Sequence, residues 1–161
     1  MHFHYNRRFA VLAGMTLAWM MIIFLFSAQN ADDSSDTSGK VLTFLCGLFG
    51  YTPTETMKST LSFVVRKAAH MTEFGLLGVL WLNTLRHGFA NFRYRYPAAF
   101  ALASFYAATD EFHQLFVEGR AGQVTDWAID SMGILLWLTA AWFLTVITNR
   151  NKIIKITIRN F

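Results

Sequence analysis

The chain alternates long charge-free apolar runs with short polar or charged connections. The first run, Phe9 to Phe26, is FAVLAGMTLAWMMIIFLF, eighteen residues without a charge. At about 1.5 Å per residue it reaches ~27 Å, close to the roughly 30 Å of a bilayer's hydrocarbon core. Arg7 and Arg8 before it, with Ala28 and Ala31 after it, also fit a signal peptide weakly, but the apolar core of a signal is shorter, about 7–15 residues. The run therefore predicts a first membrane span.

Gln29 to Lys40, QNADDSSDTSGK, reads as a polar acidic loop. Val41 to Gly50 is apolar but too short to cross. Val41, Phe44, Leu45 and Leu48 share one helical face, which predicts a short interfacial or re-entrant helix. Pro53, then Ser59 and Thr60, mark a turn and a new helix start. The next spans are predicted at about 61–85, 97–115 and 126–147, with Pro97 suited to the first turn of the third. The predicted fold class is all-α: a transmembrane helical bundle of about four spans plus the short helix, forming one domain over 1–161.

Composition supports this reading. Apolar residues make up 54% and charged residues 15%, and mean hydropathy is +0.34. A soluble core of 161 residues could not enclose so many all-round apolar helices. The net charge of +4 does not imply nucleic acid, because no zinc-finger spacing, phosphate-cradling glycine loop or basic-aromatic interleaving accompanies it. Cys46 is the single cysteine, so no intramolecular disulfide can form. The basic residues instead encode topology. Nine of the fourteen (Arg7, Arg8, Arg86, Arg93, Arg95, Arg150, Lys152, Lys155 and Arg159) fall with both termini on one side of a four-span arrangement, and all ten acidic residues fall on the other. The positive-inside rule predicts cytoplasmic N- and C-termini in a multi-pass cell-membrane protein.

That topology brings an unusual polar set to the outer ends of the spans. Ser27 and Gln29 end the first. Lys67, His70 and Glu73 lie in the outer half of the second. Asp110, Glu111, His113 and Gln114 end the third, Arg120 lies in the loop, and Asp126 and Asp130 begin the fourth. Residues three or four apart share a helix face, which groups Lys67 with His70, His70 with Glu73 and Phe74, Asp110 with His113 and Gln114, and Asp126 with Asp130. Gly133 continues the last stripe and would let a neighbouring helix approach closely. Ionisable groups at membrane depth are costly and mark function.

Several chemistries fit the set. His70, His113, Asp110, Glu111, Asp126 and Asp130 are the catalytic candidates, acting as base, acid or orienting group toward water attacking an ester, amide or phosphate. Ser27, Gln29, Lys67, Glu73, Gln114 and Arg120 are the substrate-binding candidates, with Lys67 and Arg120 facing developing negative charge. Two histidines and several carboxylates would also suffice for a divalent metal, although DEFHQ is not the H-E-x-x-H pattern. The same groups could bind a lipid headgroup or a glycopeptide-like ligand without chemistry, or pair across helices and fix bundle register. A continuous ion path is disfavoured, because the inner halves of the spans lack matching polar groups. Trp19, Trp81, Trp137 and Trp142 read as lipid-facing or interfacial residues, and Glu118 as solvated surface.

FSAQ at the end of the first span, RKAAHMTEF in the second, and TDEFHQLFVEGRAGQVTDWAIDSMG across the third and fourth resemble the VanZ-like family of small membrane proteins. The resemblance covers most of the chain and implies about four spans with an extracytoplasmic polar cluster. The family's characteristic positions fall here on Ser27, Gln29, Lys67, His70, Asp110, Glu111, His113, Gln114, Arg120, Asp126 and Asp130. Two positions depart from the pattern: Phe74 stands where many relatives have tyrosine, and Trp137 where a small residue often follows Gly133. The family is named for an association with teicoplanin resistance. The resemblance thus implies action at the cell envelope, with membrane lipid and a lipid-linked or cell-wall ligand as expected partners.

Overall fold

A computed structural model describes residues 7–89 and 93–159, with side chains described through 150. The side chains of Lys152, Lys155 and Arg159, three of the topology-setting cations, lie outside the described residues, as does Phe92 in the basic connection. Five helices are described and no strand: α1 (Arg7–Ser27), α2 (Ala31–Leu48), α3 (Glu55–Gly88), α4 (Arg95–Gln114) and α5 (Val124–Arg159). The all-α expectation holds, but three boundaries differ from those predicted.

The acidic loop and the short apolar helix are a single helix, α2. Asn30 caps it, its Oδ1 accepting a hydrogen bond from the Asp33 amide at 2.8 Å, and Asp32 and Asp33 place negative charge at the positive end of the helix dipole. Ser34, Ser38 and Leu42 follow at four-residue spacing and are the buried face. Small serines let α2 lie close to α3, and Ser38 donates to the Ser34 carbonyl at 2.9 Å. A polar composition thus conceals a helix whose packing face is made of serine. Val41, Phe44, Leu45 and Leu48 remain on the exposed face. The second boundary is the start of α3, at Glu55 rather than near 61, with Thr54 at its N-cap position. The third is α5, which runs on to Arg159 rather than ending near 147.

Contacts along the helices fix their directions. Thr16 meets Thr84 through their hydroxyls at 3.0 Å, and the Trp19 indole donates to the Glu73 carbonyl at 2.9 Å, so α1 and α3 run antiparallel. The Tyr106 hydroxyl donates to the Met20 carbonyl at 2.7 Å, and the His113 ring lies tilted against Phe24, so α1 and α4 run parallel. Gly133 faces Met71, and Trp137 faces Gly75, so α3 and α5 run parallel. Ser27, Gln114 and Val124 accordingly gather at one end of the bundle, with Arg7, Gly88, Arg95 and Arg150 at the other.

The core lies below the polar end. Phe74, Leu77 and Leu82 of α3 and Ile134 and Leu138 of α5 close on Ala99, Ala103 and Ala107 of α4. The alanines recur every fourth residue, so α4 presents a small-residue stripe that admits both neighbours. Trp19 and Trp81, expected at the lipid surface, are partly buried against this core, whereas Trp137 and Trp142 are 38% and 48% exposed.

Among the described residues two helices are long and apolar enough to cross a membrane: α1, and α5 over Val124–Arg150. Only 11% and 17% of their most apolar stretches are buried, unlike the core helices of a soluble protein. α3 and α4 do not meet the same criterion of length, hydropathy and low charge. The charge-free stretch from Phe74 to Leu85 is twelve residues, and that from Tyr96 to Thr109 fourteen.

Candidate functional site

The polar end of the bundle encloses a pocket of about 230 Å³. α3 contributes Arg66, Lys67 and His70 from one stripe at three- and four-residue spacing, α4 contributes Glu111 and Gln114, the α4–α5 loop contributes Arg120 and Gln123, and α5 contributes Asp126 and Asp130. A larger open cleft of about 880 Å³ separates α2 from α3. Its charges are solvated surface: the Asp36–Lys40 pair there is 71% and 77% exposed. The smaller pocket is where buried charge collects.

Within it Lys67 and Asp126 form an ion pair, each side chain about one-fifth exposed, and Lys67 also lies 5.3 Å from the centre of the Phe63 ring. His70 Nδ1 stands 4.0 Å from Asp130 Oδ2. Asp130 is 2% exposed, and its Oδ2 is buried with no hydrogen-bond donor, so the imidazole is its closest polar neighbour of opposite potential charge. Glu111 Oε2 accepts the Gln123 amide at 2.8 Å, which ties the loop to α4. Arg120 Nε donates to the Gln29 carbonyl at 3.2 Å. Arg66 donates to Ser35 Oγ at 3.2 Å, while its Nε is buried without a partner.

Among the described residues neither guanidinium has a carboxylate within ion-pair distance. Burial pushes the Arg120 pKa down from its usual value, and the Arg66 cation adds to this; Asp110, Glu111 and Glu73 pull the other way. Two guanidiniums lining one pocket, each without its own carboxylate, form an anion-receptive arrangement.

Two glycines shape the rim. Gly119 has φ +71°, a left-handed conformation that a side chain disfavours, and the Ala31 amide donates to the neighbouring Glu118 carbonyl at 3.2 Å, fastening α2 to the loop. At Gly122 a Cβ would collide with the Glu111 carbonyl.

Seven of the twelve sequence-derived site residues line the pocket: Lys67, His70, Glu111, Gln114, Arg120, Asp126 and Asp130. Asp110 lies just behind them, accepting from Gln114 Nε2 at 2.9 Å. The Ser27 hydroxyl is buried beside the Asp110 carboxyl without completing a well-formed hydrogen bond. Gln29 takes part through its backbone carbonyl. Glu73 and His113 do not line the pocket, although Glu73 lies within electrostatic reach of Arg120. Glu73 accepts the Trp19 indole N–H through its main chain, and the His113 ring lies against Phe24 at 4.8 Å with a buried Nδ1 lacking a partner. Among the described residues no three His, Cys, Asp or Glu side chains converge closely enough to share a metal ion.

Sequence reasoning missed Arg66 and Gln123 as site residues. Arg66 precedes His70 by four positions and could have been found from that spacing. Gln123 acts through its main chain in a loop, and no periodicity marks it.

An all-α bundle with two membrane-length helices and a charged pocket at one end defines a small helical protein built around a buried polar site. A family model described as VanZ/LLP1 matches residues 12–146. The chain belongs to the VanZ/LLP1 family, in agreement with the resemblance drawn from its motifs. Comparison with curated proteins and with solved structures gives no match.

Proposed function

We propose that the chain is a multi-pass protein of the cell membrane with both termini in the cytoplasm, whose extracytoplasmic pocket binds the anionic part of a cell-envelope or lipid-linked substrate and hydrolyses it or transfers a group from it. The alternating helix directions and the division of charge support the topology. The family's association with teicoplanin resistance supports an envelope-facing role. The observation that carries the chemistry is the placement of His70 against Asp130 in the same small pocket as Arg66 and Arg120.

In this reading Asp130 orients His70 through the Nδ1 side of its ring, leaving Nε2 to take a proton from the attacking water or hydroxyl. Arg120, assisted by Arg66, faces the negative charge that grows on the substrate. Glu111, entering in its protonated form, gives a proton to the leaving group and regains one from His70, while the Lys67–Asp126 pair holds α3 and α5 at the pocket. The test is incubation of purified protein with envelope lipids, with products measured by mass spectrometry. Turnover that falls at least tenfold in H70A and D130A is expected, general base catalysis contributing roughly 10²–10⁴-fold. Absence of turnover, or turnover indifferent to both substitutions, contradicts catalysis.

A second reading is binding without chemistry. The closed Lys67–Asp126 pair favours it, as does the withdrawal of His113 from the pocket, which leaves a single histidine facing the ligand. Saturable binding lost in R120A, with the ligand recovered intact, distinguishes it.

A further inference from the structure

A second cavity adjoins the charged pocket. It is an open groove of about 400 Å³ between the C-terminal end of α4 and the start of α5, walled by Ala108, Phe112, Leu115, Val124 and Trp127. Its lining is almost wholly apolar, yet Glu111 and Gln123 border both cavities. The hydrogen bond between them at 2.8 Å forms the partition: charged groups lie on one side and hydrocarbon surface on the other. One wall of the groove is held in place. Trp127 Nε1 donates to the Ser104 carbonyl and faces its hydroxyl, each at 3.1 Å, which pins the indole. Gly122 meets the Glu111 carbonyl too closely to admit a side chain, which leaves the loop end of the groove unobstructed. Phe112, Leu115 and Val124 are 64%, 56% and 78% exposed. They sit beside the start of a helix long and apolar enough to cross a membrane, which places the groove at the level where that helix would enter the bilayer.

We propose that the pocket and the groove form one bipartite site for an anionic amphiphile, with its headgroup at Arg120 and Arg66 and its hydrocarbon chain lying along the α4–α5 groove. The occupant of the groove is an acyl or isoprenoid chain. Three features select it: the groove adjoins the arginine-bearing pocket across Glu111 and Gln123, its lining offers a ligand little to hydrogen-bond, and its exposed walls lie beside the start of a membrane-length helix. A soluble headgroup alone would leave the apolar half of the site empty, and a neutral lipid would leave Arg66 and Arg120 without a direct ion-pair partner, since Glu111, Asp126 and Asp130 share the pocket but lie beyond ion-pair distance of both. Such a ligand enters from the outer leaflet without leaving the membrane. This inference rests on the reading of the pocket as an extracytoplasmic substrate site.

The test compares ethyl phosphate with dodecyl phosphate, two ligands with one headgroup and different chains, on the full chain in lipid nanodiscs. Three proteins are titrated: the native chain, Ala108→Trp, which fills the groove from an exposed position, and Arg120→Ala. Partition of dodecyl phosphate into the bilayer is the same for all three, so it cancels. In the Ala108→Trp variant the preference for dodecyl over ethyl phosphate is expected to fall about tenfold, equivalent to losing roughly two buried methylenes. In Arg120→Ala both ligands are expected to weaken together. A chain preference as large in Ala108→Trp as in the native protein overturns the groove while leaving the pocket reading intact. Binding of both ligands that is unaffected in Arg120→Ala overturns the pocket reading itself. Thermal unfolding of each variant in the same nanodiscs verifies that a lost preference comes from a folded protein.

Discussion

Replacing Gly133 by alanine tests how the pocket is held together. Gly133 is buried on α5 one turn below Asp130, where α3 passes with Met71, the residue after His70. A Cβ at this position would lie 2.5 Å from the Met71 carbonyl oxygen and 2.8 Å from its Cα. Ordinary contact begins at 3.4 Å, so the two helices must separate locally by the difference from 2.5 Å, roughly 0.9 Å. The obstacle is backbone and cannot rotate aside, so the cost falls toward the upper part of the overpacking range, about 3 kcal/mol. Against it stands the ~1 kcal/mol that alanine gains over glycine inside a helix. A net loss of about 2 kcal/mol follows. Gly14→Ala is the matched control, because a Cβ there meets nothing within 4 Å. Both variants can be followed by SDS-induced unfolding in detergent, read by circular dichroism. The reasoning is refuted if G133A unfolds at the same SDS fraction as G14A. Turnover on envelope substrate should fall in G133A as well, because the separation carries Asp130 away from His70.

Other perturbations read different parts of the arrangement. Asp126→Leu leaves Lys67 uncompensated in a half-buried position and should cost about 1–3 kcal/mol, between the values for exposed and fully buried pairs, with most of the loss recovered in the K67M/D126L double variant; a double-mutant cycle with K67M on unfolding free energies measures this. Gly119→Ala forces a side chain into the left-handed region beside Ala31 and should lower stability by about 1–2 kcal/mol in the same unfolding assay. Thr16→Val removes the buried hydroxyl contact with Thr84 and should cost roughly 0.6–1 kcal/mol. A reporter fused after Phe161 should be active only as a cytoplasmic fusion, whereas activity outside the membrane would invert the topology.

Much of the site was legible because helices translate spacing into geometry. Lys67 and His70, and Asp126 and Asp130, fall on single faces, and each pair lines the pocket as its spacing required. Gly133 was recognisable for the same reason, as the small residue continuing a polar stripe, and it does admit α3. His113 misled because spacing defines a face but not the neighbour that the face meets: α1 brings Phe24 against it. α2 was illegible because its buried face is Ser34, Ser38 and Leu42, so the usual apolar periodicity is missing where the helix packs. Residues 29–40 have the composition of a loop, yet the Asn30 cap and the serine face support a helix. The role of Gln123 was hidden because a main-chain amide carries no signature in the side-chain alphabet.

Arg120 is the residue whose position most directly tests the account, since it must lie in a pocket that opens outside the membrane. With Cys46, the single cysteine, replaced by serine, an R120C variant provides one thiol whose reaction with a membrane-impermeant maleimide can be timed in sealed vesicles of known orientation. Labelling is expected in right-side-out vesicles, and none in inverted vesicles until they are opened. Labelling confined to inverted vesicles would contradict it.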